Sequence, residues 1–118
     1  MPHVLIVEDD PDVREMLDVL LQFHGYSTDT AANGREALTR AHQRRPCVVL
    51  LDLMMPIMSG WEFRAEQLQD PEIADVPVVC VTAVYDHLMV RERLHVPCLP
   101  KPVDFDDLLE TVDTACAH

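Results

Sequence analysis

Three acidic residues in succession, Glu8, Asp9 and Asp10, follow the apolar run that ends at Val7. A lone Asp52 follows a second run, ending at Leu51, and Thr82 follows a third, ending at Val81. Lys101, the chain's single lysine, stands between Pro100 and Pro102 just after a short apolar segment. Carboxylates brought together repel one another and call for a cation. An ammonium and a hydroxyl beside them suit the oxygens of a phosphoryl group. Together these residue types point to a site for a cation and a phosphoryl group, provided that the fold gathers groups spread along almost the whole sequence.

An open parallel α/β sheet does this, because the carboxyl ends of its strands share one rim and ligands bind there at the topological switch point. The chain reads as five strand and helix units with no linker. His3 to Val7 is a buried strand, and Asp10-Pro11 starts a helix with Asp10 as N-cap and Pro11 at the first position. Val13, Met16, Leu17, Leu20 and Leu21 repeat at helical spacing as its inward face, and Gly25 stops it. Tyr26 to Thr30 is the second strand. Asn33-Gly-Arg-Glu36 resembles a capping box opening a helix with Ala37, Leu38 and Ala41 inward. Cys47 to Leu51 is continuously apolar, as strands covered on both faces are. A loop from Leu53 to Ser59 leads to Gly60 and a helix from about Trp61 to Gln69. Val78 to Val81 forms the fourth strand, a weak helix spans about Asp86 to Leu94, and Cys98-Leu99 is a very short fifth strand. Asp104 caps a last helix carrying Leu108, Leu109, Val112 and Cys116. The fold class is α/β: a doubly wound, flavodoxin-like five-stranded parallel sheet with helices on both faces.

Residues 1–118 make one domain, of a size that buries a real core. A formal net charge of −12 argues against direct binding to nucleic acid or to an anionic membrane surface, both of which need a basic patch. No stretch is long and apolar enough to span a bilayer, and the start lacks a signal peptide's basic region and cleavage site, so a cytoplasmic address is expected. Cys47, Cys80, Cys98 and Cys116 are widely separated and lie mostly in apolar runs, which reads as buried free thiols and not as disulfides or a zinc site. The six histidines lack metal-ligand spacing; His24, His42 and the terminal His118 read as solvated.

Taken together, VLIVEDDPDVRE, VVLLDLMMPIMSGWEF, VVCVTA and PKP resemble the receiver domain of two-component response regulators, of the chemotaxis-regulator type, over essentially the whole chain. The resemblance implies that Asp52 is the phosphoacceptor, taking a phosphoryl group from a histidine kinase or phosphotransfer protein. It implies a Mg2+ site built from Asp9, Asp52 and the backbone carbonyl of Met54, with Glu8 acting directly or through water. Asp10 reads as a helix cap before a ligand. Lys101 would bridge Asp52 and then hold a phosphoryl oxygen, Thr82 would donate its hydroxyl to that group, and the small Ala83 would leave room for it. Pro56 and Gly60 would shape the loop beside Asp52, and the Lys101-Pro102 peptide would be cis. Such a domain catalyses its own phosphorylation and dephosphorylation without being a turnover enzyme, and alters a surface read by an output domain or effector protein. It works as a monomer or weak homodimer, either free-standing or as part of a longer protein.

Two positions depart from the family pattern. Cys98 occupies the place of an aromatic residue that turns inward on activation; Tyr85 reads as a surface tyrosine on a loop before it reads as a substitute. The interval from Thr82 to Lys101, nineteen positions, is shorter than in the family, and His95-Val-Pro97 replaces its Gly-Ala-Asp segment, so the fourth helix should be short or displaced. Two other readings compete. A Mg2+ phosphohydrolase of the haloacid dehalogenase type usually has a second aspartate two positions after its nucleophile, where this chain has Met54, and it needs a cap domain. A degenerate receiver acting as a constitutive binding module would not need to keep the acid pair, Asp52, Thr82 and Lys101. Met54 and Val84, two positions after Asp52 and Thr82, are apolar and cannot orient a hydrolytic water, which points to a long-lived phosphorylated state.

Overall fold

In the computed structural model, which describes residues 2–83 and 87–117, the chain alternates strand and helix throughout. The strands are β1 (His3–Val7), β2 (Ser27–Ala31), β3 (Val48–Leu51), β4 (Val78–Thr82) and β5 (Cys98–Pro100). The helices are α1 (Pro11–Phe23), α2 (Gly34–Gln43), α3 (Gly60–Leu68), α4 (His87–Leu94) and α5 (Phe105–Cys116). All strand pairs are parallel, in the order β2-β1-β3-β4-β5. The order therefore reverses between β1 and β3, and Glu8 and Asp52, the residues just after those strands, meet at the switch point.

The unbroken apolar runs are explained by burial on both faces. Leu5, Val7, Val49 and Leu51 point to one layer, where Ala37 of α2, Phe63 of α3 and Val90 of α4 pack on them. The intervening Val4, Ile6, Val48 and Leu50 point to the other, against Leu17 and Leu21 of α1 and Leu108 and Val112 of α5. Each helix buries a narrow stripe, and Met16, expected on the inward face of α1, is instead 40% exposed. Leu17 and Leu21 already cover that side of the sheet.

The helix ends follow the local chemistry. The Asp10 carboxylate accepts from the Asp12 and Val13 amides at 2.9 and 3.4 Å. Asn33 accepts from the Glu36 amide at 3.0 Å, but its own side-chain amide reaches the Glu36 carboxylate, so the box expected there is half made. The complete box opens α3, where Ser59 and Glu62 each accept from the other's backbone amide at 3.2 and 3.1 Å. Gly25, with φ of 95°, turns the chain out of α1. His95 takes the same left-handed role after α4, at φ 56°, where the family pattern has glycine. The eight-residue α4 is short, as expected. Val84, Tyr85 and Asp86, on which the sequence reading placed a shielding side chain, a surface tyrosine and a helix start, lie outside the described residues, as does His118.

The cysteines correct the sequence reading. Cys47, which precedes β3, and Cys116, in the last turn of α5, form a disulfide with Cα atoms 5.0 Å apart. Their separation of 69 positions conceals a neighbourhood that exists only once α5 lies on the face carrying Val48 and Leu50. Cys80 and Cys98 are free and buried. His42 is also not simply solvated: it is exposed, but both ring nitrogens are held by carboxylates, Asp70 at 2.7 Å and Glu72 at 2.9 Å.

Candidate functional site

Backbone bonds bring the strand ends level. The Glu8 amide donates to the Ala31 carbonyl and the Asp52 amide to the Val7 carbonyl, both at 3.0 Å, so each acid continues the ladder one step past its strand. The Lys101 amide donates to the Thr82 carbonyl at 3.0 Å, fixing those two side-chain bearers together. The Lys101-Pro102 peptide is cis. On this rim the structure gathers Glu8, Asp9, Asp52, Thr82 and Lys101.

Carboxylate oxygens of Glu8, Asp9 and Asp52 all lie within 4.8 Å of one another. Glu8 and Asp52 are buried and Asp9 is exposed, which leaves the cluster one open side. Lys101 Nζ stands 2.5 Å from Glu8 Oε1 and 3.4 Å from Asp52 Oδ2. One ammonium therefore pairs with two carboxylates of a three-acid cluster. Burial pushes the Glu8 carboxyl above the usual range; Lys101 opposes this and the neighbouring Asp52 adds to it. Burial works to lower the Lys101 ammonium, but the Glu8 hydrogen bond and the Asp52 charge outweigh it and the net shift is upward. The donor set suits a hard divalent cation: all oxygen, charge in excess of its one cationic partner, and open to solvent on one side.

The supports are as telling as the groups. The Met54 amide donates to Asp52 Oδ1 at 3.3 Å and the Asp10 amide to Glu8 Oε2 at 3.2 Å. Arg14, which the sequence reading passed over, donates from Nη1 to the carbonyls of Glu8 at 3.0 Å and Asp9 at 3.4 Å. Its signal was its place in the first turns of the helix that Asp10 opens, where a long side chain reaches back over the strand end. Gly60 packs on the other side of Asp52: its amide donates to the Leu53 carbonyl at 3.0 Å, and a Cβ there would fall 2.3 Å from the Asp52 carbonyl oxygen. Between them Ile57 has φ of 68° while the Met58 amide bonds the Pro56 carbonyl at 2.7 Å, a γ-turn with a β-branched residue at its centre. The same loop is stitched to α2, because the Gly34 amide donates to the Met58 carbonyl at 2.8 Å and a Cβ on Gly34 would strike Met58 Cγ at 2.7 Å.

Thr82 is wholly buried at the end of β4. Cys98 is buried on β5 in register with Cys80, and burial raises both thiols. No aromatic side chain occupies that position. Met54 is 64% exposed and Ala83 is exposed. A second group that sequence spacing did not suggest, His42 with Asp70 and Glu72, lies on the surface between α2 and the connection into β4.

The chain matches the family described as response regulator receiver domain over residues 4–113. It is 32% identical to protein PilH of Pseudomonas aeruginosa over 120 aligned residues, covering 99% of each chain. Among solved structures, it resembles the chemotaxis protein CheY4 of Vibrio cholerae with a TM-score of 0.87 and 31% identity, covering 98% of both chains. It also resembles the response regulator TrrA of Thermotoga maritima, solved in complex with Mg2+-BeF, with a TM-score of 0.84 and 34% identity over 98% of this chain and 99% of that one.

Proposed function

This chain belongs to the response regulator receiver family and is a phosphoacceptor signalling switch, and within that role we propose that Asp52 is the residue that takes the phosphoryl group. The observation that carries the assignment is its place: a buried carboxylate at the switch point, with an ammonium 3.4 Å away and two further acids beside it. Regulators of this family act with histidine kinases, and the donor here is a phosphohistidine on such a kinase or on a phosphotransfer protein. An Asp52 oxygen attacks phosphorus as the bond to the donor nitrogen breaks, giving an acyl phosphate.

Mg2+ would be held by Asp9, Asp52 and the Met54 carbonyl, with Glu8 direct or through water, and it would neutralise charge on the transferred group. Asp9 faces solvent, the side from which a hydrated ion would reach the cluster. Lys101 turns from its two carboxylates to a phosphoryl oxygen, and the Thr82 hydroxyl donates to another. Their linked backbones pass that movement from β4 to β5. The chain is then a single receiver, residues 1–118, which acts once per phosphorylation and not as a turnover hydrolase; Met54 stands where a hydrolase's second aspartate would be. Its readout is a surface seen by an output domain or effector protein, as a monomer or weak homodimer, in the cytoplasm. No helix among the described residues is long and apolar enough to cross a membrane.

Incubation with acetyl phosphate and Mg2+, followed by intact-mass measurement, tests the assignment. Wild type gains one phosphoryl group only when Mg2+ is present, and Asp52→Asn gains none. Equal labelling of the two proteins would overturn it.

A further inference from the structure

Cys47 and Cys116 close a covalent ring that contains β3, α3, β4, α4, β5 and α5, and with them Asp52, Thr82 and Lys101; Glu8 and Asp9 lie outside it. Both half-cystines are only half-buried, at the edge of the layer that seats α5, so a small thiol can approach them. The remaining cysteines, Cys80 and Cys98, are sealed in the opposite layer, and burial raises both thiols, which keeps them protonated and inert. Exchange at this protein therefore has one accessible pair of sulfurs and one intramolecular product.

We infer that Cys47 and Cys116 form a reversible redox staple, opened and closed by thiol–disulfide exchange with low-molecular-weight disulfides such as glutathione disulfide. In the closing direction the thiolate of one cysteine attacks a glutathione disulfide sulfur, forming a mixed disulfide and expelling a glutathione thiolate. The second cysteine's thiolate attacks the protein sulfur of that mixed disulfide, makes the Cys47–Cys116 bond and expels the second glutathione thiolate. Two electrons pass from the protein dithiol to glutathione disulfide, and the two thiol protons end on the released glutathione.

The staple acts on a helix with two anchored ends. The α5 N-terminus follows Lys101-Pro102 by way of the Asp104 cap, and Leu108 and Val112 seat its middle in the core. Oxidation fastens its far end to the start of β3, so α5 follows a movement at Lys101 less freely than in the dithiol form. The covalent ring also restricts the unfolded chain, and a ring of this length raises stability appreciably.

The test uses the whole chain in buffers of graded reduced to oxidised glutathione ratio, with acid quenching before intact-mass measurement. Wild type loses two hydrogens in the oxidising buffers, regains them in excess reduced glutathione, and melts about 10 °C higher when oxidised. Cys116→Ser melts like reduced wild type and has no redox-dependent midpoint, whereas Cys80→Ser keeps the shift. The reduced wild type stands in should a serine variant fold poorly. A mass that never falls by two hydrogens, a stable glutathione adduct in place of the bridge, or a bridge that folded protein keeps in excess reduced glutathione would each overturn the inference.

Discussion

Lys101 makes its shorter ion pair with Glu8, at 2.5 Å, while Asp52 is 3.4 Å away. In the resting protein the lysine is thus anchored mainly by the acid that would not be phosphorylated, and Asp52 is left with an excess of negative charge around it. Removing that charge should stabilise the metal-free fold. Asp52→Asn is expected to raise the melting stability, because it takes one charge out of a crowded acid cluster. Thermal melts in chelator check the sign, and a lowered melting point for Asp52→Asn would overturn it.

Mg2+ should restore what Asp52→Asn gains. Trp61 reports the event, since it begins α3 beyond the Asp52 loop and the Arg93 guanidinium of α4 lies 5.3 Å over its ring. A fluorescence titration of wild type should saturate with Mg2+. Asp9→Asn should weaken binding more than about tenfold, a loss already typical for outer-shell partners of a metal. Unchanged affinity would remove Asp9 from the ligand set.

The lifetime of the phosphorylated state should answer to Met54. Its backbone amide bonds Asp52, and its exposed side chain has no group with which to position an attacking water. Met54→Asn supplies one, and the phosphorylated protein is expected to decay several-fold faster, a small part of what a fully positioned acid or base contributes. Decay of the acyl phosphate followed by mass measurement tests this, and equal half-lives would show that the side chain plays no part.

His42 gives the surface a pH dependence separate from the acid cluster. Its hydrogen bond to Asp70 raises the imidazolium's pKa; partial burial works against this, and Glu72 adds to the rise. The folded value lies above the unfolded one, so the stabilisation is fully present below about pH 6.5 and fades as pH rises through the folded value. An NMR titration of His42 should show a midpoint above that of a free imidazole, moving down in Asp70→Asn. A midpoint that Asp70→Asn leaves in place would mean that the pairing does not exist in solution.

Two substitutions in the loop beside Asp52 should have opposite effects. Ile57→Gly relieves a β-branched residue held at φ 68° and is expected to stabilise by about 1 kcal/mol. Gly60→Ala improves helix propensity by about 1 kcal/mol. Its new methyl carbon, however, would lie 2.3 Å from backbone oxygen, and the displacement required should destabilise by about 3 kcal/mol or more. Denaturant midpoints distinguish the two.

What sequence reasoning reached was set by chemistry local to the chain. Val48 to Leu51 could be read as a doubly covered strand because all four residues are apolar, and Asp10-Pro11 as a helix start because cap and proline are adjacent. The rim residues were legible because each stands at or just past the end of a strand, so topology alone gathers them. Relations across the fold were not. The closeness of Cys47 to Cys116, and of His42 to Asp70 and Glu72, depends on how helices pack, and no spacing encodes it. Met16 has the right period for the core but is excess to what α1 needs to cover its side of the sheet. The choice of Glu8 as the nearer partner of Lys101 is a matter of tenths of an ångström, far below what a motif specifies.

The bond from Gly34 to Met58 makes the domain mechanically lopsided. The loop after Asp52 and the head of α2 are interlocked with no room for a methyl group, so on that flank the molecule is stiff. A push arising at Asp52 finds α2 already travelling with the loop and is not absorbed there. The opposite flank is less tightly interlocked: Thr82 and Lys101 are joined by a backbone bond, and the three-residue β5 forms the sheet's edge. On the proposed role of Asp52, one flank would serve as the fixed frame against which the other is displaced, which would give the signal a direction before any partner is present.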